Sequence, residues 1–293
     1  MDRGTVADEY RTIQEELCVG LQELDGRSVF RSDDWERPGG GGGLTRVLSG
    51  GGQIEKAAVN FSAVEGETPE RLSERLAGVS TRFFATGISV IVHPANPHAP
   101  TFHANLRYFE TDAGQVWFGG GADLTPHYLY EEDAHHFHRL LKQACGPHEV
   151  ADYPAWKRAC DDYFFLPHRG EARGIGGIFF DHLTERLQEV LAFQAELGHV
   201  LADAYFPILE RRMEMSYGQA ELDWQEIRRG RYAEFNLVWD RGTRFGLETS
   251  GRTESILASL PPRARWVYSH EPDAGSAEER LLETLRASPR SWA

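Results

Sequence analysis

The chain is poor in the residues that build covalent or metal scaffolds, with three cysteines and three methionines in 293 residues. Cys18, Cys145 and Cys160 are far apart, odd in number, and form neither a CxxC pair nor a cluster-ligating run. That argues against a disulfide scaffold, a zinc ribbon and an iron-sulfur centre, and leaves three buried, reduced thiols as the expectation. Apolar runs of eighteen residues are missing too, so no membrane span is expected. The opening MDRGTVADEYRTIQEE is too acidic for a transit peptide and lacks a signal-peptide core, which points to the cytoplasm. Basic residues are scarce relative to acidic ones, 31 against 45, and the formal charge of −14 repels nucleic acid. What is present is 41% hydrophobic content, ordinary for a soluble core, and a length that suits one large domain or two small ones. With no internal repeat and no clean linker, residues 1–293 read as a single domain.

The most informative stretch runs from Thr101 to His127: TFHANLRYFE, TDAGQV, WFGGGADLTPH. In an extended segment alternate side chains share a face, so His103, Asn105 and Arg107 point one way while Phe102, Ala104, Leu106 and Tyr108 point the other. At about 3.3 Å per residue, His103 and Arg107 are roughly 13 Å apart, the width of a large flat ligand rather than of one metal ion. The turn signal Thr111-Asp112-Ala113-Gly114 joins the strand 101–110 to 115–119 as an antiparallel hairpin. Strands at 53–61, 87–93 and 174–181 extend the sheet. Helical periodicity covers 5–24, 69–77, 130–145, 153–164, 184–217 with an interruption or kink at Pro207, 222–228, 253–260 and 276–286. Pro38 and Gly39 to Gly43 read as a mobile loop or flap, since no GK[ST] follows them. Residues 233–239 and 243–249 read as a strand pair around Asp240-Arg241-Gly242. The class is α+β, an antiparallel sheet covered by helices.

Three segments repeat the half-polar design. Ser89, Ile91 and His93 share a face of GISVIVHP, and Glu234, Asn236, Val238 and Asp240 share one in AEFNLVWDRG. If these strands join one sheet, Ser89, His103, Asn105, Arg107 and Asp240 converge on a concave site. Arg107, Arg169, Arg173, Arg241 and Arg252 sit at element ends where bidentate carboxylate capture is geometrically easy, which suggests a multiply anionic small molecule; surface ion pairs are the competing account. His135 and His138 have i, i+3 spacing compatible with a metal, but no HExxH accompanies them. Asp123 follows Gly119-Gly120-Gly121, where backbone can approach a ligand and a carboxylate can accept its N–H protons; a glycine turn with a helix cap is the alternative. Ser89 lacks a nucleophile elbow and Cys160 an activating partner, so covalent catalysis is not expected.

Together, GGGG with VNFS (Val59 to Ser62), VIVHPANPHAPTFHANLRYFE, WFGGGADLTPHYLYEEDAHHFH, YPAWKRACDDYFFLPHRGEARGIGGIFFD and RRGRYAEFNLVWDRGTRFGLETSGRTESILASLPP resemble the oxygen-dependent coproporphyrinogen III oxidase family over about Trp35 to Tyr268. Departures at the chain ends, at Ala63 to Gly66 and at Leu44 bear only on flap and entrance. The resemblance implies a large flat antiparallel sheet sandwiched between helices, a homodimer built partly from about Tyr232 to Trp266, and oxidative decarboxylation of two propionates to vinyl groups in haem biosynthesis. It implies O2 as co-substrate with no organic or redox cofactor. It assigns Ser89, Asn105, Arg107, Arg241, Ser250, Gly251 and Arg252 to propionate binding, with Arg169 and Arg173 joining them, and Asp240 and Asp123 to the pyrrole N–H groups and deprotonation. His103 is the implied proton donor, fitting an imidazole that exchanges protons near neutrality. A divalent metal on His93, His103, His138 and His168 is the further implication. Two other classes use the same residues: a tetrapyrrole carrier that consumes no oxygen, and a histidine-ligated metal oxygenase that chelation would abolish.

Overall fold

A computed structural model describes residues 1–67, 81–248 and 251–293. The helix expected at 69–77 and the candidate Ser250 lie outside these residues.

Seven strands form one antiparallel sheet in the order β1 (Arg31–Glu36), β2 (Gly41–Ser49), β3 (Ile54–Glu67), β4 (Arg82–Pro94), β5 (Thr101–Thr111), β6 (Val116–Thr125) and β9 (Gly176–Leu183). A two-stranded ribbon, β7 (Phe165–Leu166) and β8 (Glu171–Ala172), lies in the connection before β9. β1–β2, β2–β3, β4–β5 and β5–β6 are joined by connections of four to six residues, so their register is set locally by turn geometry and then by the apolar face. The expected alternation along β5 is present. Phe102, Ala104, Leu106 and Tyr108 are buried in the main core, while His103, Asn105 and Arg107 are part-exposed.

The apolar face packs on α1 (Arg3–Asp25), α2 (Glu131–Cys145) and α4 (Leu187–Arg212), with α3 (Tyr153–Tyr163) against β9. Asp2 caps α1 by accepting from the Gly4 and Thr5 amides, and Gly26 ends it in the left-handed conformation. Val6, Tyr10, Ile13, Leu17 and Leu21 repeat at helical spacing and are buried. The expected interruption at Pro207 is corrected: α4 continues through it to Arg212. Proline removes the amide that would bond the Asp203 carbonyl, and His136 Nε2 takes that carbonyl instead at 2.9 Å.

The glycine run forms a hairpin turn: Gly41 already begins β2, and Gly39, Gly40 and Gly41 adopt positive φ that tightens the turn from β1. One further expectation, the strand pair at 233–239 and 243–249, is overturned. Residues 233–239 and 241–248 are helical. α5 (Gln219–Glu234) runs into a π-helical turn (Phe235–Trp239), followed by α6 (Arg241–Glu248) and α7 (Thr253–Leu257); α8 (Ala277–Arg286) closes the chain. Buried Trp224, Ile227, Arg228, Tyr232 and Phe235 follow helical spacing across the boundary, which outweighs the short alternation of AEFNLVWD. This arm covers part of the polar face, where Tyr232 and Ala258 pack on Ala58 and Ile91, so the sheet is sandwiched.

Candidate active site

Cross-strand register lays out the polar face in rows. One row runs Thr45, Asn60, Ser89, Asn105 and Gly121; the next runs Val47, Ala58, Ile91, His103 and Asp123; a third runs Gly43, Ser62, Gly87, Arg107 and Gly119. The three glycines around Arg107 keep that part of the floor flat. Ser89, His103, Asn105 and Arg107 are thus brought together on three neighbouring strands with Asp123, while Asp240, expected beside them, lies off the sheet.

His103 Nδ1 lies 2.7 Å from Asp123 Oδ1. Arg173 Nη2 donates to both oxygens of that carboxylate, at 2.8 and 2.7 Å, and Arg173 Nη1 donates to Asn236 Oδ1 at 3.0 Å. The guanidinium is enclosed by the rings of Phe164, Tyr232 and Phe235 at 3.9, 4.6 and 4.8 Å. Burial alone would raise the Asp123 pKa; the charge of Arg173 and hydrogen bonds from His103 and Arg173 outweigh it and hold the carboxyl below its usual range. An ionised Asp123 can only accept, so it fixes the His103 proton on Nδ1. Nε2 has no hydrogen-bond partner among the described residues and belongs to a side chain 18% exposed.

Asp123 and Arg173 are each 2% exposed and bonded to each other. The Arg107 side chain is 40% exposed and pairs with Asp181 at 2.9 Å. Arg252 is part-exposed and paired with Asp33. Arg169 is spent on Glu234, to which His168 Nε2 and Trp266 Nε1 also bond, each at 2.8 Å. Burial would raise the Glu234 pKa, but these donors bring it down to about 2. Arg241 is exposed, has no carboxylate partner among the described residues, and lies 4.8 Å over the Tyr163 ring. Asp240 accepts from Tyr163 Oη and from the Thr243 amide, both at 2.7 Å, so it caps α6 while remaining part-exposed. Gly251 donates its amide to the Gly246 carbonyl at 2.8 Å and helps join α6 to α7.

The four candidate metal histidines are not brought together. His93 is buried, with Nδ1 on Thr101 Oγ1 and Nε2 on the Ser259 carbonyl. His138 is buried between Tyr153 Oη and the Ile175 carbonyl. His168 lies between Glu234 and Trp239. Among the described residues no three His, Cys, Asp or Glu side chains group as a metal site, so this donor set does not fit a metal. All three cysteines are free and buried, and burial pushes the Cys160 thiol well above its ordinary value.

Sequence reasoning missed Asn60, Tyr163, Asp33 and Asp181. Asn60 was legible, since it shares a face with Ala58 on β3, directly across from Ser89. Its Nδ2 donates to the Ser255 carbonyl at 3.0 Å, tying the floor to α7. Tyr163 and the two aspartates depend on contacts distant in sequence.

Among the described residues no helix is long and apolar enough to cross a membrane. The family profile of Coproporphyrinogen III oxidase matches residues 5–292. Among curated proteins, the chain is 50% identical to the oxygen-dependent coproporphyrinogen-III oxidase, chloroplastic, of Glycine max, over 96% of this chain and 77% of that protein. It is 48% identical to coproporphyrinogen-III oxidase 1, chloroplastic, of Arabidopsis thaliana over the same shares. Identity is 45% to the Nicotiana tabacum oxygen-dependent enzyme, over 99% of this chain and 77% of that protein. A profile spanning nearly every residue and relatives of this identity leave one conclusion: the chain belongs to the coproporphyrinogen III oxidase family.

Proposed function

We propose that the polar face between His103 and Arg107 is where this chain carries out its family's reaction, the oxygen-dependent conversion of coproporphyrinogen III to protoporphyrinogen IX. The single observation that carries this placement is the His103–Asp123–Arg173 chain at the edge of a flat, glycine-lined floor. The substrate has four propionates, a wide flexible ring and four pyrrole N–H groups; the floor offers separated cations, room and acceptors. Each turnover converts –CH2CH2COO⁻, O2 and one proton into –CH=CH2, CO2 and H2O2. The electrons come from the substrate, so the chain's residues need only bind, orient and move protons.

Arg107, Arg241 and Arg252 bind propionates, with Ser89, Asn105, Ser250 and Gly251 as neutral partners. Asp240, part-exposed, accepts pyrrole N–H and supports removal of a proton from the electron-rich ring. His103 exchanges the reaction proton through Nε2 while Asp123 holds its tautomer. The donor set above gives no basis for routing a step through a metal. The exposed Leu237, Val238, Trp239, Phe245, Leu247 and Trp266 make 232–266 the proposed seam of a homodimer. Sedimentation should give twice the chain mass; a monomer at micromolar concentration contradicts that seam.

The deciding experiment is oxygen uptake with chromatographic product analysis on coproporphyrinogen III, using metal-stripped and metal-supplemented protein in parallel. Equal formation of protoporphyrinogen in both supports His103 as a proton carrier. Activity that appears only with metal overturns that role, and no oxygen-linked vinyl product overturns the reaction at this face.

A further inference from the structure

β9 leaves regular pairing with β6 at one place. Phe118 pairs with Leu183 and Gly120 with Phe180, so two residues, Asp181 and His182, stand opposite Gly119. Such a bulge re-aims side chains, and bulges are common beside active sites. His182 adopts φ 60°, a conformation uncommon outside glycine, and its ring lies 5.2 Å from that of Trp117. The bulge places Asp181 Oδ1 2.9 Å from Arg107 Nη2, while the same oxygen accepts from the His182 amide at 2.9 Å. Gly119 makes the contact possible. A Cβ there would stand 2.7 Å from Arg107 Nε and 2.7 Å from Asp181 Oδ1, so the ion pair fills the space of the missing side chain.

A bulge, a left-handed histidine and a glycine thus combine to set one carboxylate on an arginine that, in the reading above, receives another. The contact uses one terminal nitrogen, and the side chains are 40% and 38% exposed, so Arg107 is occupied yet reachable. On the first strand of the same sheet, Arg252 rests on Asp33 in the same way, with side chains 31% and 32% exposed. We propose that Asp181 is an internal stand-in for a propionate: it holds the Arg107 guanidinium over the floor and is displaced by the incoming carboxylate, so it sets affinity for the substrate. Asp33 does the same for Arg252. The inference rests on the assignment of Arg107 and Arg252 to carboxylate binding. Part-exposed ion pairs contribute little, so removing the competing carboxylate should tighten binding by about two- to five-fold.

The test is binding of coproporphyrin III, the oxidised tetracarboxylate that cannot react, followed by quenching of tryptophan fluorescence. Wild type, Asp181→Asn, Arg107→Ala and the double variant form one cycle, with circular dichroism confirming the fold. Asp181→Asn should bind tighter than wild type, and the gain should vanish when Arg107 is already alanine. Unchanged or weaker binding by a folded Asp181→Asn protein overturns the proposal. Should that variant not fold, Asp33→Asn carries the same expectation at Arg252, with unchanged or weaker binding again overturning it. If Arg107→Ala binds as tightly as wild type, the assignment of Arg107 itself falls, which separates that failure from failure of the stand-in.

Discussion

Arg173 and Arg107 belong to the same sheet-bound site and do opposite work. The first is 2% exposed, stacked among three aromatic rings and bonded twice to Asp123; the second is 40% exposed and touches one oxygen of Asp181. A buried guanidinium must keep its partner, because an unpaired charge there is costly, whereas an exposed one can exchange partners at little cost. On the proposed reading, the floor of the site is fixed and its rim is exchangeable. Substitutions that move energy between floor and rim test that division.

The largest effect is expected at the floor. Asp123→Ala leaves Arg173 buried without its carboxylate and His103 without an orienting acceptor, so stability should fall by about 3–5 kcal/mol. Urea denaturation measures this, and a loss under 1 kcal/mol would place the pair in solvent. His103→Gln should spare the fold but reduce kcat by about 10²–10⁴. Steady-state kinetics beside the denaturation curve separate the two. At the rim, Arg107→Ala should change stability by less than about 0.5 kcal/mol while raising KM by roughly ten-fold or more, the loss of one charge-assisted hydrogen bond.

The effect spread over the most residues is on pH dependence, and it comes from the enclosed histidines. Burial lowers the pKa of His127 and of His138 to about 3, and drives His93 down as well. Their unfolded forms titrate near 6.5, so between pH 6.5 and about 3 the unfolded chain binds more protons than the folded one. Stability from these groups is intact above 6.5 and declines as pH falls through that window. Replacing His138 by Gln should flatten the decline seen in thermal melts from pH 7 to 4; an unchanged slope would show that His138 is accessible to protons.

Legibility in the sequence followed the range of the contacts involved. The β5–β6 hairpin, its two faces and the row of His103, Asn105 and Arg107 follow from period-two alternation and one turn, all within 25 residues. The segment 233–249 was misread because AEFNLVWDRGT alternates like a hairpin. Its helical form depends on Asp240 capping α6, on Tyr163 bonding Asp240, and on Asn236 meeting Arg173, contacts made across 77 and 63 residues for the latter two. Arg173 and Arg107 look equivalent in sequence for the same reason. Only the arm that carries Tyr232 and Phe235 buries one and leaves the other open. The histidines divide likewise: His93 and His138 spend both ring nitrogens on groups that no local spacing reveals.

The most direct test of the account is the rate of oxygen consumption on coproporphyrinogen III by His103→Gln, with coproporphyrin III binding measured on the same preparation. The account predicts binding close to wild type and turnover reduced by at least about 100-fold, since the floor supplies the proton and the rim supplies the grip. Wild-type turnover in that variant would contradict it.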